Sequence, residues 1–124
     1  MSERDVTSNL VQRAPGVYTG SSLDGGGRSW VDVSWLPESP ATYTYIPNNA
    51  VELLMGDIDG KYRRYGEVLI TCTWGLNRAP SMARLYCLFL GIECDMRDVR
   101  INKAWRDFYM ENFHHYRSGE WRIT

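Results

Sequence analysis

Val68-Leu69-Ile70-Thr71-Cys72-Thr73-Trp74-Gly75-Leu76-Asn77-Arg78-Ala79-Pro80-Ser81 decides how the rest of the chain is read. Its first residues, with Glu67 ahead of them, form an apolar run without polar alternation, which predicts a strand over 67–71 buried on both faces. From Ala79 the apolar residues Met82, Leu85, Tyr86 and Phe89 recur at the i, i+3, i+4, i+7 spacing of a buried helix face. Pro80 suits the first turn of that helix, where a missing N–H costs nothing, and Gly91 ends it after Leu90. Between strand and helix lies a short loop with Gly75 at its centre, free to turn and to approach a ligand closely.

A loop joining a strand end to a helix start turns several backbone N–H groups into one concavity, and the positive end of the helix dipole points to the same place. An anion held there meets the Cys72 thiol from one side and the Arg78 guanidinium from another. That combination suits phosphoryl transfer through a cysteinyl-phosphate. A core cysteine with a surface arginine nearby is the alternative reading of the same spacing.

The stretch 68–83 resembles the signature of the cysteine-dependent tyrosine and dual-specificity phosphatases, an apolar strand followed by His-Cys-x5-Arg-Ser/Thr and a buried helix. Weaker similarity reaches upstream. Gly16-Val17-Tyr18-Thr19-Gly20-Ser21 resembles the first strand and turn of that family, and Tyr45-Ile46-Pro47 the segment entering its acid loop. The resemblance implies an α/β fold with a small mixed central sheet flanked by helices, dual-specificity-phosphatase-like. It also implies that Cys72 is the nucleophile, that Arg78 is the bidentate phosphate clamp, and that the amides of Thr73, Trp74, Gly75, Leu76, Asn77 and Arg78 form the cradle. No metal and no cofactor are implied. The expected partner is a phosphorylated protein or peptide substrate.

Three departures from the family pattern bear on mechanism. Thr71 stands where the family has histidine, and Ala79 stands where it has the hydroxyl that helps the thiolate leave. Ile46-Pro47 leads to Asn48-Asn49-Ala50, with no carboxylic acid at the family's proton-donor position. Asp57 and Asp59 come next along the chain and are expected to swing in from a loop or to be helix-breaking surface residues. Asn77 before Arg78 also resembles the loop of the cysteine-type RNA 5′-triphosphatases, which dispense with the usual aspartate, so an RNA 5′ end is an alternative partner. Trp74 would then stack on a base, or else pack against neighbouring loops. A phosphate-binding module without turnover is the third reading.

At 124 residues the chain is expected to be a single domain, with residues 1–14 a loose polar segment. Net charge of −1 argues against bulk binding to nucleic acid or an anionic membrane. With no apolar run of membrane-spanning length and no leader-like start, a cytoplasmic location without membrane association is expected. Cys72, Cys87 and Cys94 read as reduced thiols without zinc-ligand spacing to His114 or His115. Cys87 is expected to be a core thiol, and Cys94 a candidate to resolve an oxidised Cys72. Further elements are expected as strands over 17–19, 30–35 and 42–46, a helix over 50–65 broken near Asp57-Ile58-Asp59-Gly60, and a helix capped by Asp95 with Asp98 in its first turn. The glycines at 25–27 read as a connector, and Ile101, Trp105 and Phe108 as a core stripe running towards Phe113.

Overall fold

The computed structural model describes residues 6–37 and 46–117. Strands β1 (Val11–Ala14), β2 (Val17–Gly20), β3 (Trp30–Asp32) and β4 (Val68–Thr71) form one mixed sheet in the order β1-β2-β4-β3. β1 and β2 are an antiparallel pair, whereas β4 runs parallel to both β2 and β3. The apolar segment predicted to be the most buried strand is thus one of the two inner strands. Helix α1 (Asn48–Tyr65) and helix α2 (Arg78–Leu90) pack on the sheet and on each other, so both lie on one face. The shorter α3 (Lys103–Glu111) and α4 (Phe113–Arg117) close over α2.

The core sits between that sheet face and the helices. Val17, Val31, Val68 and Ile70 point into it from the strands, Val51, Met55 and Ile58 from α1, and Met82, Leu85 and Tyr86 from α2. Trp105 and Phe108 join it from α3, as their spacing predicts, and the Trp105 indole donates to the Pro37 carbonyl at 2.9 Å. On the other sheet face, residues 26–29 of the chain between β2 and β3 stand beside Tyr18 and Leu69. There the Trp30 indole donates to Thr71 Oγ1 at 2.7 Å, and Leu69 stays half-buried. β4 is therefore less enclosed on this side than its unbroken apolar run implies.

Several expectations are corrected. Residues 11–14 are not loose but form the edge strand β1, and its pairing with β2 is irregular between Gln12 and Ala14. That bulge re-aims Arg13 inward, as an extra residue in a strand does. Its side chain is fully buried and donates to Thr19 Oγ1 at 2.8 Å, to the Asp95 carbonyl at 2.8 Å and to Asp98 at 2.6 Å. Asp95 and Asp98 serve this anchor, and no helix starts there. Asn102 caps α3 instead, its Oδ1 accepting from the Trp105 amide at 3.1 Å.

The strand expected over 30–35 stops at Asp32. Val33 donates its amide to the Thr71 carbonyl at 2.7 Å, and the chain turns with Leu36 bonding back to Val33. Helix α1 starts two residues early and runs unbroken through 57–60, because Ile58 is fully buried and Asp57–Lys61 and Asp59–Arg63 are ion pairs one turn apart. The extended segment expected over 42–46 and the Tyr45 similarity lie outside the described residues, apart from Ile46.

Arg13 ties β1 to the 95–98 turn, and Arg13→Met is expected to lower stability by about 2 kcal/mol, measured by urea denaturation. The hydrogen bond and charge of Arg13 hold the Asp98 carboxyl below its usual 3.8, against partial burial. Its contribution is therefore complete above that pH and lost as pH falls through the lower folded value. Asp98→Asn should flatten that part of the acid limb.

Candidate active site

The last ladder bond of β4 runs from the Cys72 amide to the Gly20 carbonyl at 3.3 Å, and the loop 72–77 then passes directly over the end of β2. Gly75 is required twice. Its φ is +77°, and a Cβ there would lie 2.7 Å from the Gly20 carbonyl carbon and 2.9 Å from the Ser21 nitrogen. The loop is also held from outside. The Ser22 amide donates to the Thr73 carbonyl at 3.2 Å, and the Asn9 side chain donates to the Trp74 carbonyl at 2.7 Å. Asn9 is placed in turn by Asp24, which accepts from the amides of Asn9 at 3.0 Å and Ser21 at 2.8 Å. Burial opposes the Asp24 charge, but the donors from Ser8, Asn9 and Ser21 outweigh it and lower its pKa.

This path brings the Cys72 sulfur to the start of α2. Cys72 is 2% exposed, and its Sγ accepts from the amides of Gly75 and Ala79, each at 3.3 Å. Among the described residues, the amides of Thr73, Trp74 and Leu76 donate to no protein acceptor. Such N–H groups at the mouth of a 13-residue helix are the kind of donors that suit an anion.

Arg78 opens α2 and is nearly buried. Its Nη1 donates to the carbonyls of Ser34 and Leu36, and its Nη2 donates to Thr73 Oγ1 at 3.2 Å. The guanidinium therefore bridges the loop to the turn after β3. Asn77 turns its side chain away to accept the Asn102 amide on Oδ1 at 3.1 Å, which links the loop to the α3 cap. Leu76 and Trp35 are exposed on either side of these contacts and Trp74 is half-buried, giving the loop an apolar rim.

The seven residues singled out from Cys72 to Arg78 are thus one continuous structure. Its supports, Asn9, Asp24, the carbonyls of Ser34 and Leu36, and Asn102, are not apparent from motif reading. The spacing Ser21-x-x-Asp24 was the available signal, since it is a capping box around the short 3-10 turn Ser22–Asp24. Thr71 contacts the Trp30 indole and Asp32, its Oγ1 donating to Asp32 Oδ1 at 3.3 Å.

Asp57 and Asp59 do not reach the loop from a mobile segment. Asp59 accepts from the Tyr86 hydroxyl at 2.7 Å, and Tyr86 is eight residues beyond Arg78 on α2, about 12 Å along its axis. Burial, then the Asp59 bond, pushes the Tyr86 hydroxyl well above its ordinary pKa. Asp57 is paired with Lys61 on the exposed side of α1. Cys94 is likewise not placed to resolve Cys72. It lines a cavity with Cys87, near the far end of α2.

Gly75→Ala is expected to destabilise the protein by about 1–3 kcal/mol through backbone strain alone, and by more as Cβ meets Gly20. Tungstate binding by calorimetry should be lost with it, because the displaced loop no longer converges its amides. A scan against protein-family models, a search of curated proteins and a search of solved structures each find no match for this chain.

Proposed function

We propose that the protein is a cysteine-dependent phosphatase acting on phosphotyrosine or other phosphomonoesters through a cysteinyl-phosphate intermediate. The observation that carries this reading is the pair of amide donors from Gly75 and Ala79 on a buried Cys72 sulfur, at the N-terminus of a helix that begins with Arg78. A merely structural thiol needs no such donors, whereas a nucleophilic thiolate does.

In the proposed reaction the phosphoryl oxygens are received by the open amides of Thr73, Trp74 and Leu76. Arg78 exchanges the carbonyls of Ser34 and Leu36 for two of those oxygens, a planar two-point contact that suits its fork. The thiolate attacks phosphorus, an S–P bond forms, and the P–O bond to the leaving group breaks with its electron pair on that oxygen. Water then attacks phosphorus, releasing orthophosphate and restoring the thiolate.

Asp59 is held by Tyr86 and Asp57 by Lys61, so neither carboxyl expected from the sequence stands ready to protonate the leaving group. General acid catalysis contributes about 10²–10⁴-fold, so substrates with stable leaving groups are favoured. Aryl phosphates meet that condition. Phosphoanhydrides meet it further, which favours the 5′-triphosphate of RNA as the second reading, with half-buried Trp74 at the rim as a stacking surface.

Cys72→Ser should reduce turnover on the order of 10³-fold or more, with tungstate affinity nearly unchanged. Activity surviving in that variant rejects the mechanism. Arg78→Lys should fail as well, since an ammonium cannot make the two-point contact. Assays on phosphotyrosine peptide, phosphoserine peptide and triphosphorylated RNA separate the two substrate classes.

Ala79 supplies no hydroxyl to the departing sulfur, so the second step should limit the rate. A burst is expected with nitrophenyl phosphate, with little turnover of phosphoserine. Ala79→Ser should reduce the trapped intermediate seen by mass spectrometry. Equal rates on phosphoserine and phosphotyrosine peptides would mean that a proton donor acts after all.

A further inference from the structure

Away from the 72–77 loop, three sulfur-bearing side chains line one cavity at the C-terminal end of α2. The Cys94 thiol donates to Met96 Sδ at 3.6 Å, and Cys87 faces the same cavity. Cys87 is in the last turns of the helix, while Cys94 and Met96 follow in the chain that leaves it. The bond from the Ile92 amide to the Cys87 carbonyl at 3.0 Å holds that chain against the helix end. Cys87, Cys94 and Met96 line one cavity of about 260 Å³, with Leu88, Ile92 and Tyr109 as apolar walls.

We infer that Cys87, Cys94 and Met96 form a binding site for a soft monovalent metal ion of the Cu(I) class. A three-coordinate ion with metal–sulfur bonds of roughly 2.3 Å needs its ligand sulfurs about 4 Å apart. Cys94 and Met96 already stand at 3.6 Å, and Cys87 lines the same cavity. Thiolate and thioether donors select Cu(I) over harder ions. Among the described residues, no three Cys, His, Asp or Glu side chains come together to hold a metal, so Zn(II) and Fe(II) lack their usual ligand set here.

Two thiolates and one monovalent cation leave a net charge of −1, which Arg84 at the cavity wall faces, with Glu93 opposing it from the same lining. Binding releases both thiol protons to solvent and changes no oxidation state. The site is independent of the proposed phosphatase chemistry, because Cys87 lies about 14 Å along α2 from Arg78.

The test is anaerobic titration of the full chain carrying Cys72→Ser with Cu(I) in ascorbate, against a chromophoric Cu(I) chelator. One equivalent of copper should be retained, and the melting temperature should rise with it. Cys94→Ser should abolish retention. Met96→Leu, which preserves volume, should weaken it tenfold or more while circular dichroism stays unchanged. Zn(II) at the same concentration should not be held. Four results overturn the inference: no copper retained, retention undiminished in Cys94→Ser or in folded Met96→Leu, Zn(II) held as tightly as Cu(I), or a Cys87–Cys94 disulfide forming in place of metal binding.

Discussion

The close approach of Gly75 to the end of β2 is the constraint on which the candidate site depends. With 2.7 Å between a would-be Cβ and the Gly20 carbonyl carbon, the loop after β4 has one route to α2. That route places the sulfur of Cys72 beneath two amides and leaves three more amides facing outward. The parallel pairing of β2 with β4 is therefore more than scaffolding. A register slip of one residue would move the Gly20 carbonyl from beneath the loop and change that approach.

Around that contact the molecule uses long-range polar anchors rather than many tight turns. Arg13 joins the edge strand to the 95–98 turn, Arg78 joins the loop to the turn after β3, and Asn77 joins it to the cap of α3. Each anchor is buried or nearly so, and buried donors left unsatisfied are costly. The positions of these turns are thereby held to the loop. Specificity for a substrate would then rest with the exposed Trp35 and Leu76, which add area without holding the fold.

The parts legible from sequence were those with strong periodicity or forced backbone chemistry. The central strand, α2, its Gly91 stop and the core stripe through Trp105 all follow from spacing. Arg13 misled because a charged residue in a polar segment reads as surface, and only the bulge shows that it turns inward. Asp95 and Asp98 carried a helix-start pattern, but the Asp95 carbonyl and the Asp98 carboxylate accept from that arginine instead. The break expected in α1 failed because Ile58 sits on the buried face and two ion pairs bridge the polar residues beside it. The supports of the 72–77 loop come from sequence separations as large as 65 residues, beyond any local pattern.

The strand order has a consequence for how the chain is built. β2 and β3 are not neighbours, and each finds its partner in β4, about 50 and 40 residues later respectively. Until residues 68–71 leave the ribosome, the first half of the protein holds one antiparallel hairpin, which is marginal alone in water. A nascent or truncated chain ending before that strand would thus display unpaired strand edges and the apolar face of α1. Arrival of β4, which Cys72 directly follows, joins the sheet and removes those sticky edges, while the thiol waits for Gly75 and Ala79 to cover it.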